Sequence, residues 1–210
     1  MQQDAQHHCL IYDGAPSRQL TALAAFTKQK LDENFRCLYL NSPTMVAGMR
    51  SYLAALDVDV TAAAQQGRLV LSSETAVSAD GAFDAAVMIA RLDAAVTQAV
   101  EEGYAGLFAT GDLTWEFGPR HDFSALLQYE WELERLFRKH PVLCGVCQYH
   151  ADTLPRDALR QGLVSHPKLF INETLSVINK FHAGNAQDAA LAAQNPQLDA
   201  ELAKLGGGDK

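Results

Sequence analysis

The stretch AGLFATGDLTWEFG, Ala105 to Gly118, decides the fold. Ala105 to Ala109 is a short apolar run that reads as a strand, and it stops abruptly at Thr110, Gly111 and Asp112. Trp115 and Glu116 follow at once. A strand that delivers a glycine, a carboxylate and an indole at its carboxyl end has the makings of a ligand-site wall. Open α/β sheets bind ligands outside the carboxyl ends of their strands. A plainer reading stands beside it: a strand, a loop, and Trp115 packed as a lid over the core.

Similar runs recur on both sides. Cys9–Tyr12, Cys37–Leu40, Leu69–Leu71, Val142–Cys147 and Leu169–Ile171 are continuous rather than alternating, as parallel strands buried on both faces should be. Helical patterns separate them. Pro43–Leu56 opens with a proline suited to a first turn. Phe83–Glu102 carries Phe83, Val87, Ala90 and Ala94 on one stripe and stops at Gly103. Asp122–Lys139 has Asp122 as its N-cap, and Thr153–Gln161 is closed by Gly162. Strand and helix in alternation predict a three-layer α/β sandwich with a mostly parallel central sheet. Residues 1–183 form the domain. Residues 184–210, rich in Ala and Gln and ending in GGGDK, form a flexible or partly helical, peripheral tail broken near Pro196.

The chain has 210 residues, 48% hydrophobic and 20% charged, enough to bury a core. A net charge of -8 argues against a broad nucleic-acid surface, which needs clustered Lys and Arg. No signal peptide is recognised in MQQDAQHH and no run is long enough to span a bilayer, so the expected location is cytoplasmic, with no membrane partner. Cys9, Cys37, Cys144 and Cys147 are then reduced thiols.

After the first strand comes Asp13-Gly14-Ala15-Pro16-Ser17-Arg18. A phosphate-binding loop would need several glycines, a Lys and free backbone donors here, and this segment has one glycine, no Lys and a proline. No GxGxxG follows any strand. Nucleotide cofactors are therefore not expected. Cys144 and Cys147 form a CxxC, but inside a strand residues three apart point to opposite faces. The pair is expected to be buried, unpaired and metal-free; a Cys147/His150 metal pair is the alternative. Of His7 and His8, one is expected to face solvent and the other to lie at the amino-terminal edge of the sheet.

The helix from Asp122 carries a sharper signal. Phe123, Leu126, Leu133 and Phe137 define an apolar face, and Glu130 falls within it. A carboxylate on a buried face needs a partner or a function. Trp131 points off that face, toward a partner or the tail.

These residues together resemble the MEDS domain, the sensory domain named for methanogens, methylotrophs and the dichloromethane-responsive repressor DcmR. The likeness runs in order from His8 to about Pro167. It rests on His8, Tyr12 and Asp13, on Gly67, on Gly81 with Phe83, and on Gly103 and Gly106. It continues with Gly111-Asp112-x-x-Trp115, Tyr129-Glu130, Cys147-Gln148-Tyr149 and His166-Pro167. The resemblance implies a RecA-like fold, akin to KaiC, with a degenerate phosphate-binding loop. It also implies a sensor of small organic molecules such as hydrocarbon derivatives, in signal transduction or transcriptional regulation. The chain departs from the family pattern at Phe108, where Arg is usual, at His150, where an acid is usual, and at Asn34-Phe35, where Gly-Glu is usual. If that Arg serves an anionic ligand, this chain suits a more apolar one.

The expected ligand site is Asp112, Trp115 and Glu130 around one cavity at the strand ends, with Tyr149, His150 and Tyr12. Tyr and Trp rings would supply apolar walls with polar handles. No cofactor, metal or catalytic residue is assigned, and the chain is read as a binding domain rather than an enzyme. Its expected partners are a small organic ligand and a separate histidine kinase or regulator protein, with a homodimer as a further expectation and no direct nucleic-acid contact. Two other readings remain open. One is a hydrolase-type enzyme using Asp112, Glu130 and His150, with His166 or a Cys147 nucleophile nearby. The other is an interaction module without a ligand.

Overall fold

The computed structural model describes residues 6–76, 83–117, 123, 125–171, 176–178, 182–183, 185–192 and 194–205. Six strands run parallel: β1 (His7–Tyr12), β2 (Phe35–Leu40), β3 (Leu69–Ser72), β4 (Gly106–Asp112), β5 (Leu143–His150) and β6 (Lys168–Ile171). They lie in the order β3-β2-β4-β5-β1-β6, and a short β7 (Ser176–Ile178) closes the edge antiparallel to β6. All six apolar runs of the sequence are strands, but β4 and β5 extend beyond them. Each has a hydrogen-bonded neighbour on both sides, and the pairing continues to Asp112 opposite Gln148 and to Tyr12 opposite His150. Asp112 is thus the last residue of its strand, which runs three residues past Ala109.

On one face lie α1 (Leu20–Asp32), α2 (Pro43–Ala55) and α3 (Val60–Gln65). The sequence reading leaves α1 unassigned, although its buried Leu20, Leu23, Ala24, Thr27 and Leu31 keep helical spacing. Ser42 caps α2 by accepting from the Met45 amide, with Pro43 in the first turn. On the other face lie α4 (Ala85–Glu101), the short α5 (Leu113–Phe117), α6 (Leu126–Lys139) and α7 (Arg156–Ser165). Asp84 caps α4, and Gly103 ends it at a positive φ of 86°. Its buried stripe is Met88, Leu92, Val96 and Ala99; Val87, Ala90 and Ala94 of the expected stripe are exposed. The larger side chains win the core because they remove more apolar area from water.

The helix expected from Asp122 begins at Leu126, with Ala125 at its N-cap and no side-chain cap; Asp122 itself lies outside the described residues. Helix α7 starts after Pro155 and runs through Gly162 to Ser165, so Gly162 is an interior residue and not a stop. The tail forms α8 (Ala186–Ala192) and α9 (Pro196–Leu205), broken at Pro196 as expected. Ala189, Leu198 and Leu202 are buried in the α4–α6–α7 core, so these helices are packed rather than peripheral. Among the described residues, no helix is long and apolar enough to cross a membrane.

Strand alternation sorts every inward side chain to one face. Leu10, Tyr12, Phe108, Cys144 and Val146 face α1–α3, whereas Cys9, Ile11, Leu107, Cys147 and Tyr149 face α4, α6 and α7. None of the four cysteines forms a disulfide, all are buried, and Cys144 and Cys147 lie in opposite cores as expected.

Candidate functional site

The site expected at the strand ends divides in two. On the α1–α2 face, Asp112 Oδ2 accepts the Tyr12 hydroxyl at 2.8 Å and the Asn41 amide at 3.4 Å. Its Oδ1 accepts the Thr114 backbone N–H at 2.9 Å, where α5 begins. This carboxylate is held by the fold. Burial and the neighbouring Asp112 push the Tyr12 hydroxyl well above the usual phenol range, so it stays a donor.

His150 stacks on the Tyr12 ring at 4.8 Å between centroids. Its Nε2 lies 2.8 Å from the Gly14 carbonyl and its Nδ1 2.7 Å from the Thr153 hydroxyl. Since a carbonyl only accepts, Nε2 carries the hydrogen. The Gly14 amide in turn donates to Asp152 Oδ2 at 2.8 Å. The backbone donor that a phosphate-binding loop would offer to an anion is thus directed at a carboxylate.

The second part lies under α6, on the opposite face. Glu130 is fully buried and its Oε1 accepts the Tyr149 hydroxyl at 2.5 Å. Oε2 faces two rings, 3.5 Å from His7 Nε2 and 3.3 Å from His166 Nε2. Cys147 Sγ lies 3.4 Å from His7 Nε2. Behind them, His7 Nδ1 sits 3.1 Å from Glu134 Oε2, His166 Nδ1 sits 2.8 Å from the Gly162 carbonyl, and Phe137 stacks on His7 at 4.4 Å. Burial pushes the Glu130 carboxyl up to about 8 against the opposing hydrogen bonds from Tyr149 and Cys147, and it lowers His7 to about 3. His166 is held well below the ordinary imidazole range, also by burial.

The structure therefore brings Asp112, Tyr12 and His150 together on one face and Glu130 with Tyr149 on the other. Among the described residues, Asp112 and Glu130 do not share the one cavity expected for them, because Asp112 and the Tyr149 that holds Glu130 point to opposite sides of the sheet. Trp115 belongs to α5, but its side chain lies outside the described residues. The hydrolytic set Asp112, Glu130 and His150 is divided by the same alternation. So is the Cys147/His150 metal pair, whose members lie three apart on β5. Trp131 is half-buried and packs against the α6 core.

Sequence reasoning put one of His7 and His8 in solvent and the other at the sheet edge, without deciding which, and missed the partners of His7. His7 opens β1 as expected, yet it is fully buried, and His8 is the partly exposed one of the two. Cys147 entered in the CxxC, in a Cys147/His150 metal pair, in a family motif and in the hydrolytic alternative, and His166 in the last two, but neither was joined to His7. A signal was present: a His beside an apolar strand start, and a second His directly before a strand, both in a chain with a carboxylate on an apolar helix face. A cavity of about 40 Å³ adjoins this cluster, lined by Leu92, Leu113, Tyr129, Leu133, Phe137 and Cys147 among others.

Comparison with known proteins agrees with this architecture. The family model described as MEDS, the MEthanogen/methylotroph, DcmR Sensory domain, matches residues 6–167. No curated protein matches the chain. Among solved structures, the fold is similar to that of the flagellar accessory protein FlaH from Methanocaldococcus jannaschii. The TM-score is 0.50 at 11% sequence identity, covering 78% of this chain and 70% of that one. At that identity the likeness carries the fold alone, an α/β arrangement with a mostly parallel central sheet.

Proposed function

Because the chain belongs to the MEDS family of sensory domains, we propose that it binds a small, largely apolar organic molecule and passes the signal to a separate partner protein. The observation that supports this reading is the apolar cavity between β4, β5 and α6. At about 40 Å³ it suits a ligand of a few heavy atoms, the size of a short hydrocarbon derivative. Helix α6 lines the cavity with Tyr129, Leu133 and Phe137 and carries Glu130 and Glu134 on the adjoining stripe. A ligand that displaces α6 would also move the Glu130–Tyr149 hydrogen bond and the Phe137–His7 stack. This couples the cavity to the core, as a sensor requires: the ligand must prefer one arrangement of α6 over the other. A histidine kinase or a transcriptional regulator is the partner class for such an output.

The test uses xenon and short alkyl halides as probes, with amide and methyl chemical shifts as the readout. Saturable shifts clustered on Leu92, Leu133 and Phe137, abolished by Leu133→Trp, are expected. Shifts scattered over the surface, or none at all, would remove the ligand reading.

A second reading has one observation in its favour. The strand ends are filled by Tyr12, Asp112, Asn41 and His150, as in an interaction module without a ligand site there. Failure of every probe together with retained partner binding would select it.

A further inference from the structure

The unexplained feature of this molecule is a convergence of four metal-ligating side chains beneath α6. The Glu134 carboxylate, paired with Arg138 at 3.1 Å, and the Gly162 carbonyl both accept, so Nδ1 of His7 and Nδ1 of His166 carry the ring hydrogens. Each Nε2 is then left with a lone pair. Both lone pairs face Glu130 Oε2, and that of His7 faces Cys147 Sγ as well. Protonated, the Glu130 carboxyl and the Cys147 thiol can each hydrogen-bond a neighbour; deprotonated, the same four groups can close on one cation.

We propose that His7, Glu130, Cys147 and His166 form a binding site for one divalent transition-metal ion, zinc by the chemistry of the donor set. Their ligand atoms all lie within 4.8 Å of one another, and all four residues are buried. Tetrahedral zinc with bonds of about 2.0–2.3 Å has ligand–ligand edges of about 3.3–3.7 Å. Three edges already fall at 3.5, 3.3 and 3.4 Å: His7 to Glu130, His166 to Glu130 and His7 to Cys147. The charge also closes. Two neutral imidazoles, a thiolate and a carboxylate neutralise a dication, which suits a site removed from water.

The surroundings are those of a metal site too. Each histidine gives its second nitrogen to an oxygen acceptor, the arrangement that fixes the tautomer and orientation of metal-bound imidazole. Two imidazoles and a thiol select against magnesium and calcium, which take oxygen ligands. The four ligands come from β1, α6, β5 and the residue that ends α7. With four protein ligands and no open position the ion would be structural, tying two helices to the central strands. Only one thiol of the CxxC takes part, since Cys144 lies in the opposite core. The expectation that both thiols are metal-free is revised for Cys147 alone. This inference does not depend on the ligand reading, and its test needs no organic molecule.

The reduced, metal-depleted full-length chain is titrated with Co²⁺. One equivalent should bind, with a near-ultraviolet thiolate charge-transfer band and the intense visible bands of tetrahedral cobalt, and Zn²⁺ should displace it. Binding should release protons, since thiol and carboxyl give theirs up. Cys147→Ser should lose the charge-transfer band while Cys144→Ser keeps it. If Cys147→Ser fails to fold, the wild-type chain decides: one equivalent of Zn²⁺ should raise Tm, and a chelator should reverse the rise. An absent band at excess Co²⁺, a band that survives in Cys147→Ser, or a Tm indifferent to Zn²⁺ would overturn the site.

Discussion

The ring of Tyr149 occupies the space that a side chain on Gly162 would need: a Cβ there would stand 2.6 Å from the tyrosine Cζ. The ring cannot retreat freely, because its hydroxyl is bound to Glu130. Gly162→Ala gains helix propensity worth up to about 1 kcal/mol, but overpacking a tight contact costs about 1–3 kcal/mol. Net destabilisation with a changed near-ultraviolet dichroism is expected in urea unfolding. A stabilised variant would show that α7 can move away from β5.

The Tyr12–Asp112 hydrogen bond should act on stability rather than on ligand affinity. Removing either partner from a buried bond to a carboxylate costs about 1.5–3 kcal/mol. Tyr12→Phe and Asp112→Asn should each lower stability, and their double-mutant cycle should show coupling. Xenon binding beneath α6 should be unchanged in both. If Asp112→Asn left stability intact but abolished probe binding, the ligand site would belong at the strand ends.

No ATP hydrolysis is expected. The Gly14 amide donates to Asp152, and the loop from Asp13 to Gln19 contains no lysine. ATP turnover above background that disappears on mutation of this loop would contradict the assignment.

The buried thiols should weaken the fold at alkaline pH. Burial pushes Cys37 up to about 12 and Cys144 up to about 11, from an ordinary value of 9.0. An acid raised on folding keeps its proton after the unfolded chain has lost it. Its contribution is therefore complete below about pH 9 and falls away as pH rises toward 11–12. Tyr12 and Tyr39, also raised by burial, act in the same direction. Urea midpoints measured from neutral to alkaline pH should decline above pH 9, and Cys37→Ala should flatten that limb. An equal slope in the variant would assign the decline to other groups.

The six parallel strands were legible in the sequence as short continuous apolar runs, which the central strands need because both their faces are covered. The caps and stops at Pro43 and Gly103 were legible because proline and glycine act through local backbone geometry. Glu130 stood out for a similar reason, since a helical period places it on an apolar face whatever that face meets. Stripe choice within α4 was not legible: two apolar stripes compete, and only packing against the sheet selects Met88, Leu92 and Val96.

The two-part site was decided by tertiary structure. Period two fixes which residues of a strand share a face, but not which helices cover that face. Only the assembled layers set Asp112 and Tyr12 against α1 and α2, and Tyr149 against α6. Likewise His7 and Cys147 stand 140 positions apart and meet because β1 pairs with β5, bringing Cys9 opposite Cys147. His166 joins them from the end of α7. The sequence determined by itself which residues are apolar, which break helices, and that no phosphate-binding loop follows β1. The convergence of two imidazoles, a thiol and a carboxylate arises from strand order and helix placement, which are properties of the whole chain's packing.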